Sequence, residues 1–82
     1  MNLYNVMDKN YEWGCFVFAP TRNKAKYMVA NHLFQDYVDL RCKLLRRGVN
    51  TPLPLVVDCP EDTGYDLVLQ CGYSYMNEEE YL

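Results

Sequence analysis

Among the 82 residues, the side chains able to do chemistry are four cysteines, one histidine and a set of charges sorted along the chain. Cys15, Cys42, Cys59 and Cys71 are even in number, as two disulfides would require, but none shows the short cysteine spacing of a structural zinc site. His32 is the single histidine. There is no metal, nucleotide or flavin signature, so neither a metal nor a cofactor is expected. A nucleophile–base–acid array of Cys42, His32 and Asp58 can be drawn, yet no local motif brings those groups together. The chain therefore reads as a non-enzyme with no catalytic residue and with free, partly buried thiols.

Charge carries more information. The formal net charge of −3 hides a division of the chain. Residues 1–47 hold all eight Lys and Arg against four acids, whereas residues 48–82 hold seven acids and no cation. Such asymmetry comes either from charge pairing inside the fold or from two surfaces of opposite sign. Arg22, Lys24 and Lys26 follow Thr21 at the start of a helical pattern, where cations oppose the helix dipole but strengthen an anion site. Arg41, Lys43, Arg46 and Arg47 form a second basic group, with Arg41 and Lys43 on one strand face. Thr21, Arg22, Lys24, Lys26, Arg41 and Lys43 are thus candidate contacts for phosphate or a nucleic-acid backbone, with Tyr27 or Tyr37 at hand for stacking. The plainer reading is that these cations solvate the helix and pair with the acidic second part; no glycine-rich loop is present to cradle a phosphate, and the sequence pI is near 4.9.

The second part suggests a different surface. Asp58, Glu61, Asp62, Asp66, Glu78, Glu79 and Glu80 are interleaved with Tyr65, Tyr73, Tyr75 and Tyr81. Acids steer an encounter with a basic partner and tyrosines supply contact area, so this set is the leading candidate for a partner-binding surface.

These residues have to be positioned by a small fold. Half of the residues are apolar, 23% are charged and 15% are aromatic, a globular balance in a length that suits one domain, 1–82. No apolar run approaches the roughly 20 residues of a membrane span. No secretory pattern opens the sequence, which points to the cytoplasm and to no membrane partner. Residues 2–7 and 12–19 flank the polar turn Asp8-Lys9-Asn10 and predict a β-hairpin. In its second strand Trp13, Cys15, Val17 and Ala19 share one face, Gly14, Phe16 and Phe18 the other, as in a central strand covered on both sides. Thr21 predicts an N-cap after Pro20, with a helix from Arg22 to about Gln35. Ala25, Met28, Val29, His32 and Leu33 make its apolar stripe, with His32 packed in the core, and Tyr27, Ala30 and Phe34 a second, narrower line. The alternation of Val38, Leu40, Cys42 and Leu44 predicts a strand within 36–47 with one wet face. A loop over 48–54, a strand stub at 55–58 and a turn at 59–64 follow. Alternation continues from Tyr65 to Tyr75. It leaves 65–71 open between a strand and a short helix ended by Gly72, and favours a strand over 73–76. Residues 77–82 read as a frayed acidic tail. The expected fold class is α+β: a β-hairpin, then one main helix packed on an antiparallel or mixed sheet, ββαβ plus short C-terminal elements.

Phe16-Val-Phe-Ala-Pro-Thr-Arg-Asn-Lys-Ala-Lys26 resembles small uncharacterised proteins encoded by bacteriophages and prophages, in which an Ala-Pro-Thr/Ser-Arg-X-Lys-Ala-Lys-type helix start follows a strand. Tyr37-Val-Asp-Leu-Arg41 and Gly72-Tyr-Ser-Tyr75 match two further elements of that pattern. The likeness covers residues 13–42 well and the remainder loosely, and the cation-free second part is more acidic than the pattern. It implies a phage origin, a location in the bacterial host's cytoplasm and a fold more than an activity, and carries no functional residues over. Because phages devote many small acidic proteins to disabling host defences, the expected role is non-catalytic binding or inhibition. The partner it implies is a host protein or ribonucleoprotein, a defence complex such as CRISPR–Cas included. The alternative is a nucleic-acid-binding accessory protein using the basic first half.

Overall fold

The computed structural model describes residues 1–33 and 36–75. The expected hairpin forms from β1 (Asn2–Asp8) and β2 (Gly14–Ala19), paired antiparallel with Asn5 opposite Phe16 and Met7 opposite Gly14. The Asp8 carboxylate ties the turn by accepting the N–H groups of Glu12 (2.6 Å) and Trp13 (3.2 Å). After Pro20 the Thr21 hydroxyl accepts the Lys24 N–H at 3.1 Å, the N-cap that begins α1 (Arg22–Leu33). A 3₁₀ turn, Tyr37–Asp39, leads into β3 (Leu40–Arg46). β4 (Leu55–Val57) and the six-residue α2 (Tyr65–Gln70) complete the described chain. All strand pairs are antiparallel and the order across the sheet is β3-β1-β2-β4. The result is one small α+β domain with one main helix and one short one.

Both faces of the sheet are covered, as the doubly apolar β2 required. On one face Tyr4, Val6, Cys15, Val17 and Leu40 pack with Ala25 and Val29 of α1. On the other, Leu3, Phe16, Phe18 and Val57 pack with Val68 of α2, and with Tyr65, Tyr73 and Tyr75 around its ends. Burying side chains of this size contributes about 1.5–3 kcal/mol each, which is how so short a chain offsets its ordering entropy.

Three expectations are corrected. The strand expected within 36–47 forms, but without Val38: β1 pairs with β3 only as far as Asp8 opposite Leu40, so 37–39 close a 3₁₀ turn and Val38 stands 77% exposed. His32 is exposed rather than packed, because the last turn of α1 runs out beside the three-residue β4. Tyr73–Tyr75 is not a strand, whereas of the two readings left open for 65–71 the short helix ended by Gly72 is the one that forms. Gly72 adopts φ +92°, its N–H reaches Leu69 O (3.0 Å) and the Tyr73 N–H reaches Val68 O (3.2 Å). That double return is a Schellman close, which turns the chain across the sheet face instead of along an edge. The expected residues Phe34 and Gln35 of the helix, Met76 of the strand, Tyr81, and Glu78, Glu79 and Glu80 of the acidic surface lie outside the described residues.

Candidate functional site

Sheet order converts the charge division of the sequence into a division of space. β3 lies at one edge with Arg41, Lys43 and Arg46, while β4 at the other edge runs into Asp58, Glu61 and Asp62. The two parts do not neutralise each other: among the described residues the ion pair present is Lys9–Asp39 at 3.6 Å, within the first part.

At the β3 edge, four of the six candidate cationic-set residues converge. Arg22 and Lys26 are one helical turn apart on α1, and Arg41 and Lys43 are two apart on β3; all four line one depression of about 470 Å³ with Met7, Tyr11, Leu40 and Cys42. No acid lines it. The Arg22 guanidinium donates to the Cys42 carbonyl and so covers the open edge of β3. Arg41 donates to the Val38 and Leu40 carbonyls at 3.2 and 3.1 Å, which holds its guanidinium close to the strand. The Lys26 ammonium sits 4.5 Å over the Tyr37 ring, itself fixed by a hydrogen bond to Asn23 (3.0 Å). Burial raises the Cys42 thiol above its ordinary value, against the opposing pull of Arg22 and Lys26 beside it. Lys24 does not join this group. It points along α1 to Tyr27, 5.8 Å from the ring centroid, in a groove with His32 and Val56. Thr21 serves α1 as its cap.

The acidic candidates are arranged differently. Asp62 closes a turn, its carboxylate accepting the N–H groups of Asp58 (2.7 Å) and Cys59 (3.3 Å). Those bonds, Asp58's first, hold its carboxyl below the usual range. Asp58, Glu61 and Asp66 are exposed. The tyrosines proposed to accompany them are half-buried and bonded inward. Tyr73 donates to Leu45 O (3.1 Å); the Tyr65 hydroxyl bonds Ser74 Oγ (3.0 Å) and accepts the Tyr75 N–H (3.2 Å). Tyr75 donates to Val57 O (2.6 Å) and accepts the Phe16 N–H (3.2 Å). Burial pushes its phenol well above the ordinary tyrosine range. Sequence alternation gave no sign of these internal roles, because it says which residues share a strand face and nothing about a helix followed by a crossing segment.

The cysteines are free, and burial drives the Cys15 thiol up to about 12, so it stays protonated near neutrality and is a poor nucleophile. Among the described residues no three His, Cys, Asp or Glu side chains gather as metal ligands, and no helix is long and apolar enough to cross a membrane. Missed by sequence reasoning was Tyr11, 66% exposed and held at φ +59°, a backbone state that bulky side chains rarely adopt. Its neighbours Asp8-Lys9-Asn10 signalled a turn, but not which residue would take the left-handed position. Compared with protein-family models, curated proteins and solved structures, the chain matches none of them.

Proposed function

We propose that this chain is a non-catalytic binding module whose contact surface is the basic edge around β3, and that its ligand is the phosphate backbone of a nucleic acid. The observation that carries the reading is the convergence of Arg22, Lys26, Arg41 and Lys43 on one depression with no acid in its lining. Sequence alone favoured the acidic, tyrosine-rich surface. That preference is reversed here because Tyr65, Tyr73 and Tyr75 are committed to internal hydrogen bonds. The resemblance to phage-encoded proteins supports a ligand belonging to a bacterial host or to the phage itself.

Salt dependence tests it. Four neutralised phosphates on a single strand give a log–log slope of about −2.8, at ~0.7 per contact. Fluorescence anisotropy with a labelled oligonucleotide should show that slope, and R41Q/K43Q should reduce it to about half. K24Q, outside the depression, should leave it unchanged. Absence of binding at low salt, or a K24Q loss equal to that of K43Q, refutes the reading.

A second reading rests on the opposite edge. Asp58, Glu61 and Asp66 are exposed and form no ion pair with a described residue, which suits a basic patch on a host protein such as a defence complex. Inhibition of such a complex that is unchanged in D58N/E61Q/D66N would remove it.

A further inference from the structure

We infer that the ligand is single-stranded and that the sheet face beside the basic edge receives one of its unpaired bases; this rests on the phosphate-backbone reading of the β3 edge. Register places residues in rows across the sheet. Lys43, Asn5 and Phe16 form one row and Arg41, Met7 and Gly14 the next. The neighbouring part of the same face, with Leu45 and Phe18, lies under α2 and Tyr73. Phe16 is itself buried beneath Tyr73 and Tyr75, and beside it Asn5, Met7, Gly14 and Lys43 form the accessible floor of a cleft of about 280 Å³. Its walls are Tyr11, Trp13, Tyr73 and Tyr75, and one acid, the exposed Glu12, also lines it.

Five features suit this cleft to a base. It shares Met7, Tyr11 and Lys43 with the basic depression, so a strand whose phosphates lie at Arg41 and Lys43 passes its mouth. Its volume is near the ~300 Å³ lower end of small-ligand pockets, room for one ring system and not for a duplex. The Asn5 amide lines it, offering both a donor and an acceptor to a base edge. The floor is kept low at Gly14, where a Cβ would stand 2.9 Å from Met7 Cγ and 3.0 Å from Asn5 Oδ1. Tyr11, by its backbone state, is the fifth. Its exposed ring stands at the junction of the two clefts on a left-handed backbone, a strain that glycine would relieve. Stacking on aromatic rings is how sequence-tolerant binders hold single strands, and it needs bases that are not paired.

The experiment compares three probes by anisotropy at low salt: a short single strand, the same strand with abasic sites, and the corresponding duplex, in both deoxy and ribo forms. The intact single strand should bind at least about tenfold more tightly than the abasic strand, equal to ~1.4 kcal/mol. In Y11G that preference should fall several-fold. Because glycine relaxes the turn, thermal melting of Y11G should match or exceed that of the parent, which separates loss of stacking from loss of fold. Equal binding of intact and abasic strands, or a preference for duplex, overturns the base-cleft inference and leaves the basic edge standing. Failure of all three probes to bind overturns both.

Discussion

Replacing Tyr75 by phenylalanine removes one oxygen and isolates one role. Phe16 and Val57 stand opposite each other in the β2–β4 register, and the Tyr75 hydroxyl spans them, accepting from the Phe16 N–H at 3.2 Å and donating to the Val57 carbonyl at 2.6 Å. Phenylalanine keeps the ring, and with it the edge contact to Phe16 (4.8 Å between centroids) and the stack on Tyr65 (5.7 Å, 9° between planes). What is lost is the partner of two backbone groups in a partly buried place. Each such group left unpaired costs about 1–3 kcal/mol, and the half-buried setting puts the pair near 2–3 kcal/mol. For a domain of this size that lowers Tm by roughly 10–20 °C. Urea or thermal unfolding should show it, with hydrogen exchange accelerated at the Phe16 amide ahead of the β1 amides. A loss under about 0.5 kcal/mol, with Phe16 protection unchanged, would refute the idea that this phenol joins the strands.

Gly64 precedes α2 at φ +96°, and a Cβ there would stand 2.4 Å from Leu55 Cδ2, so G64A should cost about 2–4 kcal/mol in urea unfolding. G72A meets nothing within 4 Å and should cost only the left-handed strain, about 1–2 kcal/mol. T21A deletes the α1 cap and should lose about 1 kcal/mol, with T21S retaining most of it. The Cys15 thiol titrates near 9.0 ordinarily but at about 12 when folded. Above the lower value the unfolded chain releases a proton that the folded chain keeps, so stability should fall between these values by up to ~4 kcal/mol. The fall should be shallower in C15A; an identical alkaline profile in the two proteins would count against burial as its cause.

Legibility in the sequence followed the physics of each segment. The hairpin, its doubly apolar second strand and the Thr21 cap were readable because each depends on near neighbours: alternation, a polar turn and one hydroxyl before a helical stripe. Val38 was misread because its alternation continued past the point where β1 supplies a partner. Tyr65 to Tyr75 alternates throughout, yet Gly72 and the Schellman close decide the outcome, and Val68, on the supposedly opposite face, is the buried residue. His32 has the right spacing for the stripe, but spacing cannot reveal how much sheet lies beneath the last turn. The candidate site was half readable. Its cations were visible one by one, while their grouping into Arg22, Lys26, Arg41 and Lys43 without Lys24 required the placement of β3 at the sheet edge beside α1.

That placement also explains why net charge misleads for this protein. Antiparallel strands lie about 4.8 Å apart, so the order β3-β1-β2-β4 separates the outer strands by roughly 14 Å. At physiological ionic strength the screening length is about 8 Å, shorter than that separation. A phosphate at the β3 edge is therefore governed by Arg22, Lys26, Arg41 and Lys43 and only weakly by Asp58, Glu61 and Asp62 at the far edge. Of the acids near the basic edge, Asp39 is engaged by Lys9 and Asp8 by the hairpin turn, while Glu12 lines the adjoining cleft. An acidic chain can thus present a locally basic surface.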